Sequence, residues 1–323
     1  MKQEALLEAI EKALEQESFA GSPAELYDPI AYTMGQKGKR MRPLLLIMAC
    51  ELFGGKIDDA VYPAIAVEVF HNFTLVHDDI MDKATLRRGK ETVYQKWNES
   101  IAILSGDTMF AMANKYMARG EHGNLSQMLD IFNQTAIEVC EGQQLDMNFE
   151  NQDDVSIEEY LRMIQLKTAV LLGCSMKIGA IIAGASQHDA ELIWNYAIDL
   201  GLAFQLKDDL LDAFGDEKVF GKRTGGDIAS NKKTYLYLKA LMEADQSEKA
   251  ELINLYSDPE VETEDKIRRV LKIFSKLNIE HHTGQMINQY YDRANKALDE
   301  ISVPAERKTD LKAFAGYLMN RIR

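Results

Sequence analysis

The sequence predicts an all-α fold, a single large bundle of long helices around a deep central cavity, and three observations carry that expectation. Only six of the 323 residues are proline, and none lies between Ala64 and Asp258, so the strongest helix breaker is missing from most of the chain. Apolar residues in that stretch recur at three-to-four spacing, as in Leu192, Trp194, Ala197, Leu200, Leu202 and Phe204, the period that places them on one helical face. No run of alternating β-branched residues leads into a tight hairpin turn.

The helix boundaries follow in order. Ser22-Pro23-Ala24-Glu25 reads as Ser at the N-cap, Pro at the first position and Glu where it can reach back. Ser156-Ile157-Glu158-Glu159 and Ser186-Gln187-His188-Asp189 repeat the device. Gaps of loop length fall near 119–124, 148–155, 214–228 and 257–263. No repeat, low-complexity tract or flexible linker divides the chain, so residues 1–323 read as one domain.

Composition narrows the function. A hydrophobic content of 46% is enough for a sizeable core. A net charge of −14 lacks the basic footprint that nucleic acid or an anionic membrane requires, so neither is an expected partner. Cys50, Cys140 and Cys174 sit far apart in apolar neighbourhoods and read as buried free thiols of a reducing compartment. The start of the chain has no apolar core of signal-peptide type. The most apolar window, 61–76, is short of a membrane span and is broken by Glu68, His71 and Asn72. A cytoplasmic protein without a membrane span is the expectation.

Two aspartate constellations point to chemistry. In Asp78-Asp79-Ile80-Met81-Asp82, Asp78 and Asp82 share one helical face, about 5 Å apart along the axis. Asp208-Asp209-Leu210-Leu211-Asp212 repeats the pattern, with Gln205 one turn before it. A single copy is as often a solvated helix face. Two copies flanked by apolar segments are not, because like charges there destabilise the helix unless a cation offsets them. Mg²⁺ fits, since it takes one or two carboxylates plus phosphate oxygens and waters.

With both motifs in view, the sequence resembles the trans-type polyprenyl diphosphate synthases, from about Gly35 to about Thr234. The fold implied is the isoprenoid synthase type I fold. The cofactor implied is Mg²⁺, three ions per site with Mn²⁺ as a substitute, and the metal positions are Asp78, Asp79, Asp82, Asp208, Asp209 and Asp212. The substrates implied are isopentenyl diphosphate and an allylic diphosphate (dimethylallyl, geranyl or farnesyl), and the assembly implied is a homodimer.

Gly38-Lys39-Arg40-Met41-Arg42-Pro43 places bases at a helix start, where the dipole prefers acids, and reads as a diphosphate clamp. The resemblance gives Lys39, Arg42, His71 and Arg88 the diphosphate of isopentenyl diphosphate. It gives Arg87, Lys167, Lys222 and Lys232 the allylic diphosphate. The family opens the first basic motif with two glycines where this chain has Lys37, and it has Pro where this chain has Arg223. Gln143 and Asp146 resemble a further family motif, with contacts to the metal's waters or ligands. The implied catalytic set is Asp78, Asp82, Lys167, Thr168, Gln205 and Asp208. Asp78, Asp82 and Asp208 serve the leaving diphosphate through the metal, while Gln205 and the carbonyls near Lys167 and Thr168 face the allylic cation.

Phe73 and Thr74, just before the first motif, would set the floor that limits product length. Together they imply geranylgeranyl diphosphate (C20), with farnesyl diphosphate (C15) or a longer product as alternatives. A class I terpene cyclase shares the fold but lacks an isopentenyl site, which Lys39, Arg42 and the Arg87-Arg88 pair argue for. A non-catalytic synthase subunit would lose aspartate motifs that are whole here.

Overall fold

In the computed structural model, residues 2–120, 123–215 and 224–319 are described, and helices make up nearly all of their regular structure. They are α1 (Lys2–Gln16), α2 (Ala24–Met34), α3 (Met41–Leu52), α4 (Ile57–Met81), α5 (Val93–Lys96), α6 (Glu99–Met117), α7 (Leu125–Asn151) and α8 (Ile157–Ile164). After a π-helical segment (Gln165–Ala169) come α9 (Val170–Ile182), α10 (Gln187–Phe214), α11 (Gly226–Ala229) and α12 (Tyr235–Glu243). The chain continues through α13 (Gln246–Ser257), α14 (Thr263–Lys276), α15 (Ile279–Glu300) and α16 (Ala305–Met319). The all-α expectation holds. The contacts group into two compact units, residues 1–133 with 174–191 and residues 134–173 with 192–323, where the sequence alone reads as one domain.

In the first unit, α4 is buried on every side from Ala64 to Phe70, as a core helix must be. Its Glu68 is buried and accepts a hydrogen bond from Arg40 Nη1 at 2.7 Å. Arg40 also reaches Glu11 and the carbonyls of Met34 and Gln36. One arginine thereby ties the N-terminal helix, the end of α2 and the middle of α4 to the start of α3. Gly179 packs so close to α3 that a Cβ there would lie 2.1 Å from the Leu46 carbonyl oxygen.

In the second unit, Leu202, Ala203, Leu206 and Leu210 of α10 share a core with Tyr235, Leu238, Val270 and Phe274. The helical stretch Ile157–Ile182 is long and apolar enough to cross a membrane by length and composition, but 72% of its apolar window is buried within the protein. The window 61–76 singled out from sequence belongs instead to the buried α4.

Local details correct the sequence reading at four places. Ser156 forms the expected capping box with Glu159, and Ser186 caps α10 through Asp189 N–H at 3.1 Å. At α2, however, the N-cap is Pro23 and no side chain caps the helix. A two-residue hairpin joins Leu86–Arg87 to Lys90–Glu91, turning at Arg88 and Gly89, both at positive φ. That is the type I′ geometry that matches strand twist, too short to leave a pattern in the sequence. Cys50 and Cys174 are buried as expected, but Cys140 is exposed on α7. Lys167 and Thr168 lie in the π-helical segment rather than in a regular α-helix, the kind of local widening that recurs at functional sites.

Candidate active site

The first unit gathers the cationic residues. Arg42 Nη1 donates to His71 Nε2 at 3.1 Å, from α3 to α4. The Nε of Arg42 is buried without a hydrogen-bond partner. Burial pushes this guanidinium down to about 10; Glu68 opposes the shift and Arg88 adds to it. Burial, then Arg42, Arg88, Arg87 and Arg40 in turn, hold His71 well below its ordinary value, so its ring is neutral. Arg88 stands on the hairpin turn and donates to the Lys37 carbonyl at 3.4 Å. A Cβ on Gly38 would lie 3.0 Å from Arg88 Nη1, so a larger residue there would press on the tip of that side chain. Lys37 contributes a carbonyl, which any residue supplies, and its departure from the family's glycine leaves the contact intact. Lys39 is exposed beside the group. The result is a concentration of positive charge in an acidic protein, an arrangement that an anion completes.

The first aspartate motif closes α4. Asp82 is its exposed C-cap and Asp78 is half-buried one turn earlier. Asp79 points elsewhere: it is buried and accepts from Arg87 Nε at 2.7 Å. Just upstream, Phe73 stacks on Phe110 of α6 with centroids 5.5 Å apart and on the edge of His77 at 4.8 Å. His77 is braced by the Ile103 carbonyl and by Gly106, where a Cβ would lie 2.2 Å from His77 Nε2. Thr74 satisfies its hydroxyl on the His71 carbonyl at 2.8 Å.

The second unit gathers the carboxylates. Asp209 is buried; it accepts from the Tyr160 hydroxyl and from Gln205 Nε2 at 3.0 Å. Gln205 Oε1 in turn accepts from the Thr168 hydroxyl at 3.2 Å. That chain fixes the amide so that its oxygen lies toward the π-helical segment. Lys167 is paired with Asp146 at 2.6 Å. Gly142 makes room for the π-helical backbone, since a Cβ there would lie 2.3 Å from Lys167 N. Asp212 Oδ2 accepts from Asp227 N–H at 2.9 Å. Lys232 is exposed and lies close enough to offset the charge of Asp227. Its neighbour Lys233 is committed to the carbonyls of Phe149 and Gln152. Lys222 lies outside the described residues.

The aspartates fit a hard cation that shares its coordination with phosphate and water. Burial first, then the nearby Asp227, push Asp209 up to about 7. Burial and then Asp212 push Asp227 up to about 6. Crowding and burial thus favour the protonated carboxyls, or a cation in the proton's place. Among the described residues no group of three or more His, Cys, Asp or Glu is placed to hold a metal ion by itself.

The same shifts give a pH prediction with a definite sign. These carboxyls keep protons in the folded protein that the unfolded chain releases above about pH 4. Their stabilisation is present below that value and is lost as pH rises towards 7. Thermal unfolding of metal-free protein should show an Asp209-dependent decline between about pH 4 and pH 7, on the order of 5 °C, and Asp209→Asn should flatten it. An unchanged slope in the variant would mean that the buried carboxyl is ionised throughout.

Residues 23–274 match the family model described as polyprenyl synthetase. The chain belongs to the polyprenyl synthetase family. It is 42% identical over 281 residues to the geranylgeranyl diphosphate synthase of Saccharolobus solfataricus, covering 86% of this chain and 83% of the relative. A crystal structure of geranylgeranyl pyrophosphate synthase superposes with a TM-score of 0.94 at 46% identity, over 99% of each chain. The polyprenyl synthase of Caulobacter crescentus CB15, solved in complex with calcium and isoprenyl diphosphate, is 29% identical with a TM-score of 0.87, covering 99% of this chain and 96% of its own. The prenyltransferase class and the isoprenoid synthase fold expected from the two aspartate motifs are therefore those of this polyprenyl synthetase.

Several elements of the polyprenyl synthetase site were not found by sequence reasoning. Tyr160 offers no signal, being one aromatic among apolar residues. Asp227 follows Gly225-Gly226, and that glycine pair before an acid was its one visible mark: a Cβ on Gly226 would lie 3.1 Å from Asp212 Oδ1. Phe110 lies on another helix from Phe73 and is linked to it only by the packing of α4 on α6.

Proposed function

We propose that the chain is a short-chain trans-prenyltransferase that condenses isopentenyl diphosphate with an allylic diphosphate and makes geranylgeranyl diphosphate. The observation that carries this reading is the Arg42–His71–Arg88 group, a cluster of bases that supports a second diphosphate site. A cyclase that acts on one allylic diphosphate has no use for it. The relatives named for geranylgeranyl diphosphate support the product.

Asp78, Asp82 and Asp208 would hold Mg²⁺, three ions with Mn²⁺ as a substitute, which when bound neutralises the charge of the diphosphate. Asp79 and Asp209 act behind them, the one holding Arg87 and the other holding Gln205. Arg87, Lys167, Lys222 and Lys232 draw the allylic diphosphate away as its C–O bond breaks. Gln205 Oε1 and the carbonyls of the π-helical segment turn the negative ends of their dipoles towards the allylic cation. The isopentenyl double bond attacks C1, and the proton lost in the final elimination passes to the departed diphosphate. We take residues 1–323 as one functional polyprenyl synthetase domain, working as a cytoplasmic homodimer. The exposed Ile103 and Leu104 of α6 offer apolar surface to a second copy.

Two variants test the assignment. Arg42→Gln should raise KM for isopentenyl diphosphate by about 30-fold, the loss of one charge-assisted bidentate contact, with KM for the allylic substrate within about twofold. Equal rises in both would remove Arg42 from the isopentenyl site. Phe73→Ala should open the floor and shift the product beyond C20, and adding Phe110→Ala should lengthen it further. Product length unchanged by either would place the floor elsewhere and leave both aromatics as core packing.

A further inference from the structure

Lys266 lies in α14, outside every motif the sequence analysis used, and it is buried. Its ammonium has no carboxylate partner among its described contacts. It donates to the Ala229 carbonyl at 3.4 Å and to Asn231 Oδ1, and stands 5.2 Å from the centroid of the Tyr256 ring, which stacks on Tyr237. Burial pushes its pKa down. A buried cation facing only neutral groups is costly, and an apolar residue of similar volume would serve simple packing as well or better. What the lysine adds is direction: it grips one short segment by two oxygen atoms.

That segment leads to the second aspartate motif. Asn231 sits at φ 58, in the left-handed region. The adjoining residue is Lys232, whose N–H is bonded to the Asp227 carbonyl at 2.9 Å. Asp227 N–H holds Asp212 Oδ2 at 2.9 Å, and Gly225 N–H holds the Asp212 carbonyl at 2.6 Å. The next residue of α14, Ile267, packs against Gly225 so closely that a Cβ there would lie 2.8 Å from Ile267 Cγ2. Two consecutive residues of α14 therefore clamp the two ends of the turn that carries Asp227 and Lys232.

We infer that Lys266 is a positioning residue for allylic diphosphate binding: through Asn231 it fixes Lys232 and Asp227 over the end of the second aspartate motif. This rests on the prenyltransferase reading above. The isopentenyl residues Lys39, Arg42 and His71 lie in the other compact unit, so the two substrates separate the inference from a general loss of structure.

The test compares Lys266→Met, Asn231→Gly and Asn231→Asp with the unaltered protein. Asn231→Gly removes the acceptor while tolerating the positive φ, and Asn231 is exposed, so this variant carries the test if Lys266→Met does not fold. KM for the allylic diphosphate should rise about tenfold in the first two, as expected for loss of a hydrogen bond to a charged group, with KM for isopentenyl diphosphate unchanged. Asn231→Asp keeps the acceptor and should stay near the unaltered protein. Parallel rises in both KM values, or no change in a folded variant, would overturn the inference. If the unaltered protein forms no prenyl product, the function is wrong, and calorimetry with Mg²⁺ and inorganic diphosphate decides the positioning role: weaker binding by about tenfold in Asn231→Gly supports it, and equal binding refutes it.

Discussion

Asp208→Asn is expected to lower kcat by about a thousandfold, some 4 kcal/mol of transition-state stabilisation, while leaving the fold more stable than before. Both halves follow from the same electrostatics. Asp208 is half-buried on α10 and contributes to the crowding that raises Asp209 and Asp227. Removing its charge relieves that repulsion in the metal-free protein, so unfolding should move to higher temperature. In the proposed mechanism the same charge is needed when diphosphate departs, and an amide does not replace it. Steady-state kinetics and thermal unfolding of one variant read both effects. A loss of activity accompanied by a loss of stability would point to a structural role for Asp208. The opposed pair of changes marks a site that holds strain for function.

Gly142→Ala is expected to cost about 3 kcal/mol of stability and about a hundredfold in kcat. The added methyl would meet Lys167 N at 2.3 Å, Leu166 C at 2.7 Å and Lys167 Cα at 2.7 Å, all backbone atoms that have no rotamer with which to yield. The π-helical segment must shift away from α7, and with it Lys167, Thr168 and the carbonyls proposed to face the allylic cation. The Lys167–Asp146 pair at 2.6 Å would be drawn apart at the same time. Gly284→Ala is the control: it lies within α15 with nothing within 4 Å of its added Cβ. That substitution should stabilise the protein by about 1 kcal/mol through helix propensity. Similar effects at both positions would mean that the close approach at Gly142 is not what the site depends on.

The helical class was open to sequence reasoning because it rests on local rules, the missing prolines and the three-to-four period. The aspartate motifs were equally visible, since i and i+4 share a helical face whatever the tertiary fold. What each aspartate does was less open. Asp79 and Asp209 stand beside metal-type carboxylates in sequence, but a step of one residue turns each to the buried side of its helix, towards Arg87 and Tyr160. The basic cluster divided in the same way. Arg40 looks like its neighbours Lys39 and Arg42, but it is spent on Glu68, a partner 28 residues away that no local rule selects. The hairpin at Arg88 and the π-helical turn at Lys167 are each only a few residues long, too short to leave a period. Lys266 had no sequence signal, because its meaning lies in the turn it grips.

The measurement that tests the account most directly is the product itself. Purified protein would be incubated with Mg²⁺ and each allylic diphosphate in turn, with and without isopentenyl diphosphate, and the dephosphorylated products sized. The account predicts a C20 alcohol that forms only when isopentenyl diphosphate is present. A cyclic hydrocarbon formed from the allylic diphosphate alone, or no elongated product from folded protein with any acceptor, would contradict it.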